Sequence, residues 1–130
     1  MEFTSQELTD QLYRDIFKYA PFGIYTLDGS GKITSFNPKM TELSGDQLDD
    51  VLGKNAFEFE SYKQAGLSDL FQQAIYGQPF DKKVSYTSQF GRKTTMRQYT
   101  GIPIEDRGIP GQARLLLIVE DITEREKILS

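Results

Sequence analysis

The side chains that could perform acid–base chemistry in this chain are two pairs of carboxylates. Asp49 adjoins Asp50, and Glu58 lies two residues before Glu60. Neighbouring carboxylates can act as a general acid and a general base, but both pairs lie in polar stretches typical of solvated surface. The chain contains no histidine and no cysteine, which excludes Ser-His-Asp triads, thiolate nucleophiles, disulfides and metal sites built on those ligands. We therefore expect a protein that is not an enzyme.

Two features of the predicted turn at residues 28–32 resemble ion-binding loops but lack essential parts. Residues 29–31 read Gly-Ser-Gly, yet a strand is predicted after them, whereas a phosphate loop needs a helix N-terminus there. A calcium-loop spacing begins at Asp28, but Lys32 occupies a ligand position and Lys39 stands where a bidentate Glu is required. We interpret this stretch as a hairpin turn, and we predict no metal site.

Aromatic and methionine side chains are the remaining candidates for a binding site. The chain has seven Tyr and nine Phe. Tyrosines combine an apolar ring with a hydroxyl that needs a partner, as pocket linings do, and methionines adapt their shape to a ligand. A filled hydrophobic core is the competing interpretation, and the sequence leaves both open. The candidate pocket residues are Tyr25, Met40, Phe57, Phe71, Tyr86, Met96 and Tyr99.

The strand predicted over residues 93–104 has no clean alternation of polar and apolar residues. Arg97 shares one face with Thr95 and Tyr99, and Met96 lies on the other. The pattern does not establish which face points inward. An inward Arg97 would need a partner, for which a ligand carboxylate is one candidate, but an outward Arg is the commoner arrangement, so we expect Arg97 to point outward.

The elements that position these side chains form one α+β unit. A capping box from Thr4 to Glu7 starts an amphipathic helix that Pro21 ends. Asn37 followed by Pro38 starts another short helix. Apolar spacing predicts further helices near residues 48–52 and 67–75, and strands over residues 22–27, 32–36, 80–88, 93–104 and 112–120. Two strands and three strands separated by helices predict one antiparallel sheet with helices on one face.

The last ten residues follow the apolar strand without a linker. Thr123 with Glu126, or Asp121 with Glu124, has the spacing of a capping box. A helix with such a start seldom ends after two turns, so we expect it to continue in a longer protein. We divide the chain into an N-terminal amphipathic helix at residues 1–20, a core at residues 21–122 and the start of an exit helix at residues 123–130.

The charge and hydropathy of the chain limit the classes of partner that this segment can bind. The 130 residues carry a formal net charge of −4 and the pI is near 4.8, whereas nucleic-acid binding needs clustered Lys and Arg. No apolar run approaches about 18 residues and no signal peptide opens the chain. We expect a cytoplasmic domain with no nucleic-acid partner and no membrane contact.

In the order and spacing of its motifs, the chain resembles the PAS sensory domains from about Asp15 to Arg125. The motifs are Ala20-Pro21-Phe22-Gly23-Ile24, Leu27-Asp28-Gly29-Ser30-Gly31-Lys32-Ile33, Phe36-Asn37-Pro38, Leu43-Ser44-Gly45 through Leu52-Gly53-Lys54, Pro103-Ile104 with Gly108 and Gly111, and Asp121-Ile122-Thr123-Glu124-Arg125. The resemblance implies a five-stranded antiparallel sheet with helices on one face, and the last motif looks like the family's C-terminal signature. We take Asp121, Thr123 and Arg125 as the junction that relays a signal to the exit helix.

The same resemblance implies a non-enzymatic sensory or relay domain of a larger signalling protein, such as a sensor kinase or a cyclic-dinucleotide enzyme. It would bind a small molecule, pass on a conformational change, or do both. The alternative is a ligand-free dimerisation or scaffold module. Without cysteine or histidine, the family's covalent chromophores and histidine-ligated haem are excluded. Non-covalent flavin is disfavoured because there is no Trp, and Met96 stands where many members carry one.

The N-terminal helix also predicts an assembly. Its apolar residues cover more than the usual stripe of about 100° that faces a protein's own core. We therefore expect a homodimer in which this helix contributes to the interface. The apolar residues are Leu8, Leu12, Tyr13, Ile16 and Phe17.

Overall fold

The computed structural model describes residues 2–129, so Met1 and Ser130 of the predicted end segments lie outside the described residues. The helices are α1 (Ser5–Tyr19), α2 (Pro38–Ser44), α3 (Leu48–Val51), α4 (Glu60–Gln64), α5 (Leu67–Ile75) and α6 (Thr123–Leu129). The strands are β1 (Gly23–Asp28), β2 (Ile33–Phe36), β3 (Phe80–Thr87), β4 (Thr94–Pro103) and β5 (Ala113–Asp121). A 3-10 helix spans Ala56–Glu58.

Within residues 2–129 the strands form one antiparallel sheet of five strands, in the order β2-β1-β5-β4-β3. The apolar strand β5 lies in the centre and pairs with β1 and β4. Its alternate residues Leu115, Leu117 and Val119 are fully buried, whereas the residues between them are half-buried. The helices of the middle segment pack on that buried face. The predicted α+β fold class is confirmed.

The short helix α2 begins where the sequence predicts. The Oδ1 atom of Asn37 accepts a hydrogen bond from the backbone N–H of Met40 at 3.0 Å, and Pro38 occupies the first helical position. Gly45 ends the helix with φ 74°, a left-handed conformation that glycine adopts without steric cost. The sequence did not predict α4 or the 3-10 helix, because residues 56–64 show no apolar period.

Helix α1 stands apart from the hydrophobic core. Thr4 caps it by accepting the N–H of Glu7 at 3.1 Å, as predicted. Within residues 5–19, however, no side chain is buried. The side chains of Leu12 and Ile16 are 56% and 51% exposed. Helix α1 therefore presents an apolar surface that the described part of the chain leaves uncovered.

The surface motifs adopt the ordinary conformations expected from the sequence. Asp28 accepts hydrogen bonds from the N–H groups of Ser30 at 2.9 Å and Lys32 at 3.0 Å, which closes the turn between β1 and β2. The carboxylate pairs at residues 49–50 and 58–60 are exposed, as expected of solvated surface.

Candidate functional site

Four tyrosines and one arginine meet on the inner face of the sheet, and we call them the tyrosine–arginine cluster. Tyr25 comes from β1, Tyr86 from β3, Arg97 and Tyr99 from β4, and Tyr62 from α4. All five side chains are buried, and Arg97 is 0% exposed. The rings of Tyr62 and Tyr86 stack with centroids 5.2 Å apart. The cluster thus joins three strands to a helix at the centre of the domain.

A row of hydroxyl groups runs through the cluster. Arg97 donates from Nη1 to the hydroxyl of Tyr99 at 2.9 Å. That hydroxyl lies 3.1 Å from the hydroxyl of Tyr25, which lies 2.9 Å from the hydroxyl of Tyr62. In each tyrosine pair either oxygen can donate. The row gives the interior a connected polar path instead of a purely apolar packing.

Arg97 has an incomplete set of partners. Its Nε donates to Thr95 Oγ1 at 2.9 Å, and its guanidinium lies 4.3 Å from the ring centroid of Tyr86, within cation–π range. Its Nη2 is buried and has no hydrogen-bond partner among the residues that the structure describes. A buried polar atom without a partner costs free energy, so this atom needs an explanation.

The charge states of the cluster follow from its burial. Burial raises the pKa of Tyr25 well above its usual value, and the nearby hydroxyls of Tyr62 and Tyr99 add to that rise. Burial likewise raises the pKa of Tyr62. Burial acts to lower the pKa of Arg97, but the surrounding tyrosine oxygens outweigh it, so that the net shift is upward. At neutral pH the phenols of Tyr25 and Tyr62 are therefore uncharged and the guanidinium of Arg97 is charged.

The structure corrects the expected orientation of Arg97. Arg97 points inward with Thr95 and Tyr99, and Met96 lies half-buried on the opposite face, outside the cluster. Alternation along β4 turns Arg97 to the same side as Tyr99, and the tyrosine rings and hydroxyls take the place of water around its charge. Met96 therefore lies apart from the other pocket candidates.

The other pocket candidates separate into cluster neighbours and peripheral residues. Phe71 is fully buried in α5, and its ring centroid lies 5.1 Å from that of Tyr62 and 6.0 Å from that of Tyr99. Met40 belongs to the same hydrophobic core, whereas Phe57 is only partly buried at its edge. Tyr62 was not predicted, because the segment around it lacks the periodicity that marks a helix.

A surface groove reaches the cluster beside Tyr86. It has a volume of about 410 Å3 and lies between α4 and the end of β3. Ser61 links Tyr86 to Gln89 in the wall of this groove, because its Oγ lies 2.7 Å from the hydroxyl of Tyr86 and donates to Gln89 Oε1 at 2.8 Å. Tyr86 contacts both the groove and Arg97. It is therefore the barrier between solvent and the guanidinium.

A second constellation lies where β5 passes into α6. Asp121 Oδ1 accepts from the backbone N–H of Thr123 at 3.0 Å and from its hydroxyl at 2.6 Å. The Oγ1 of Thr123 accepts from the N–H of Met96 at 3.0 Å, and the carbonyl of Met96 accepts from the N–H of Ile122 at 2.8 Å. Both backbone groups of Met96 therefore bind the start of α6. We call Asp121, Ile122 and Thr123 the exit junction.

The exit junction differs in one respect from the sequence-based capping box. Thr123 Oγ1 bonds to β4, whereas a capping hydroxyl would bond within its own helix. Partial burial raises the pKa of Asp121, but the hydrogen bonds from Thr123 outweigh it and the net shift is downward, so the carboxylate is charged. Arg125 lies outside this network, on the surface, 3.6 Å from Glu120.

A family model described as PAS fold matches residues 11–114 of this chain. The chain belongs to the PAS family of signalling domains. The sequence of this PAS domain is 24% identical over 124 residues to the transcriptional activator RocR of Bacillus subtilis (strain 168), a match that covers 95% of the chain. The chain spans only 26% of the length of that activator.

Solved structures show the same fold. A domain of a sensory box sensor histidine kinase/response regulator from Geobacter sulfurreducens superposes with a TM-score of 0.72 at 19% identity, covering 90% of this chain and 97% of that one. A PAS domain from Colwellia psychrerythraea superposes with a TM-score of 0.71 at 18% identity, covering 91% and 99%. Across residues 2–129, none of the helices has the length and hydropathy needed to cross a membrane.

Proposed function

We propose that this PAS domain is a non-enzymatic sensory and relay module of a larger signalling protein. A small molecule bound at the tyrosine–arginine cluster would shift β4, and the exit junction would pass that shift to α6. One observation carries the proposal: Met96 binds the exit junction with both backbone groups, while its neighbours Thr95 and Arg97 face the cluster. The exposed carboxylate pairs support the absence of catalysis.

The coupling needs only small energies. A ligand that changes the position of Arg97 acts on the residue adjacent to Met96, so a displacement of β4 at this point reaches α6 through two hydrogen bonds. The salt bridge between Lys83 and Glu126, at 2.7 Å, adds a third connection between α6 and the sheet. Coupling between sites is typically about 1–3 kcal/mol, which is comparable to a few such bonds.

The larger protein and its location are part of the same proposal. The match to RocR suggests a transcriptional regulator as one class of output, and a sensor kinase or a cyclic-dinucleotide enzyme remains in agreement with the PAS assignment. The cytoplasm fits the acidic, cysteine-free composition. The helix that begins at Thr123 is the connection through which such an output domain would be driven.

Replacing Asp121 with Ala should loosen α6 without unfolding the domain. Loss of a helix cap costs about 0.5–2 kcal/mol, which is less than the stability of a typical domain. We expect faster amide hydrogen exchange in residues 123–128, an unchanged circular dichroism spectrum, and an altered basal output or response in the longer protein.

Glu124→Ala is the matched control for that experiment. It removes a negative charge from the same helix start but leaves the two bonds from Thr123 to Asp121 intact. If Asp121→Ala leaves exchange, output and response at wild-type levels, or if Glu124→Ala changes them equally, the exit junction is an ordinary cap and does not relay a signal.

The uncovered face of α1 supports a second part of the proposal, a homodimer. Leu8, Leu12, Ile16 and Tyr19 of α1 are all more than half exposed. Such a row of apolar side chains on one element is typical of a protein interface. A dimerisation module that binds no ligand is the alternative function, and it would keep this interface while the cluster served only as core.

The double variant Leu12→Gln/Ile16→Gln should convert the dimer to a monomer. Light scattering over a concentration series should give twice the chain mass of 14.8 kDa for the wild type and the single mass for the variant. The control Leu52→Gln/Ile109→Gln removes two exposed apolar residues from other surfaces and should remain dimeric. A wild-type protein that stays monomeric at high concentration would refute the proposed dimer.

A further inference from the structure

We infer that the tyrosine–arginine cluster binds a small monocarboxylate through the guanidinium of Arg97. The inference rests on the proposed sensory function and names the chemical class of its ligand. Its basis is an excess of hydrogen-bond donors at a buried arginine that forms no ion pair with a carboxylate among the described residues.

The donors can be counted from the contacts of the cluster. A guanidinium has five N–H donors. Among the described residues Arg97 uses two of them, to Thr95 and Tyr99, which leaves three unused, including both on Nη2. The three hydroxyls of Tyr25, Tyr62 and Tyr99 share two mutual bonds, so one of their protons also lacks an acceptor. The site therefore lacks acceptors, not donors.

The charge of Arg97 is likewise not balanced by an ion pair. The salt bridges that the structure describes do not include Arg97. Asp46 is a buried carboxylate whose charge interacts with that of Arg97, but it forms no ion pair with it. Its Oδ1 instead accepts the N–H groups of Phe90 at 3.0 Å and Gly91 at 2.6 Å. A buried cation that lacks an ion-pair partner carries a solvation penalty, and an anion that entered here would offset part of it.

Arg114 shows how the same chain treats an arginine with a structural role. Arg114 is less buried than Arg97, yet it forms an ion pair with Asp106 at 3.2 Å and donates to the carbonyls of Ile75 and Ile104, both at 3.2 Å. Each of its three nitrogens has a protein partner, although solvent could have substituted for them. Arg97 lacks a charged partner where solvent is excluded, which is the arrangement expected of a ligand-binding group.

Charge and access determine the class of ligand. A single guanidinium matches one negative charge, and its planar N–H groups fit the two oxygens of a carboxylate. The tyrosine rings would surround a short apolar tail. The groove of about 410 Å3 provides the entrance, because rotation of Tyr86 and release of the bonds from Ser61 would open it to Arg97. A multiply charged phosphate would lack the further cations it needs.

The test uses sodium acetate and sodium propionate as probes, with sodium chloride at the same ionic strength as the reference. Thermal unfolding and calorimetry should show saturable stabilisation of the wild type by the carboxylates and not by chloride. Arg97→Met should lose at least tenfold in carboxylate affinity. It should fold, because Met is a long apolar side chain and its substitution removes a buried charge that has no ion-pair partner. Arg107→Met removes the same charge from an exposed loop and should bind like the wild type.

A second measurement needs no variant. In the wild type, the side-chain 15N resonances of Arg97 should shift on titration with acetate along the same saturation curve. The inference is overturned if acetate produces no saturable effect, if chloride stabilises equally, or if Arg97→Met binds as well as the wild type. If carboxylate binding fails but Asp121→Ala still alters output, the ligand inference is wrong and the proposed relay through the exit junction stands. If carboxylates bind at Arg97 but do not change output, the binding site stands and the proposed sensory function is wrong.

Discussion

Replacing Asn37 with Ala should destabilise the domain by roughly 3–5 kcal/mol, because one buried side chain connects three elements. Asn37 is 0% exposed. Its Oδ1 accepts the N–H of Ile24 in β1 at 2.9 Å as well as the N–H of Met40 in α2. Its Nδ2 donates to the carbonyls of Phe17 at 2.9 Å and Phe22 at 3.1 Å. The variant would leave all four backbone groups without this partner.

The expected loss of stability in Asn37→Ala is larger than the loss of a helix cap alone would cause, and the two can be distinguished by a control variant. A cap is worth about 0.5–2 kcal/mol, and each buried group left without a partner adds about 1–3 kcal/mol unless water reaches it. Asn55→Ala is the matched control, because Asn55 caps the 3-10 helix with one bond and donates one more to Ser30, at a partly exposed site. Urea unfolding should rank Asn37→Ala well above Asn55→Ala. Equal losses would show that Asn37 acts only as a cap.

The bonds of Asn37 also illustrate what the sequence could predict. Asn37 followed by Pro38 is a local signal, and it correctly predicted the start of α2. The bond to Phe17 joins residues 20 positions apart, and it depends on how the chain folds back. No spacing in the sequence encodes it. The fold itself was predictable because apolar spacing, turns and caps act over short distances along the chain.

The candidate site was predictable only where it depended on residue type. Tyr25, Tyr86 and Tyr99 were candidates for a pocket lining, and the structure places them together around Arg97, which is compatible with either a pocket or a filled core. The expected outward orientation of Arg97 was wrong. Arg side chains generally prefer solvent, but the register of β4 with its neighbours turns this one inward. Such register is set by the whole sheet. Tyr62 enters the cluster from α4, whose sequence carries no helical period.

The exit junction shows the same division between local and distant contacts. The capping-box spacing correctly placed Asp121 and Thr123 at the start of α6, and the bond between them joins residues only two positions apart. The bond from Met96 to Thr123 spans 27 positions and was not predicted. It nevertheless carries the proposed relay. The functional part of the junction is thus the contact between distant segments, and local capping only places Thr123 where that contact can form.

The second large effect is expected in the core beside the cluster. Phe71→Ala should destabilise the domain by about 3–5 kcal/mol, the usual cost of removing a fully buried phenylalanine ring. Its ring contacts Tyr62, Tyr99 and Phe80, with the last centroid at 6.0 Å. The cost combines lost apolar burial with a cavity that the neighbouring strands can only partly close. Tyr76→Ala, in the same segment at a 91% exposed position, should change stability by less than about 0.5 kcal/mol.

The value measured for Phe71→Ala also distinguishes a filled core from an open pocket. If Phe71 packs as tightly as the structure shows, the variant contains a ring-sized apolar cavity, and benzene should raise its melting temperature but not that of the wild type. If Phe71 instead lines a space that is normally empty or occupied by ligand, its removal should cost little, and benzene should stabilise both proteins. The second result would move the ligand site from Arg97 towards α5. The first result, a filled core around Phe71, would leave the tyrosine–arginine cluster as the favoured ligand site.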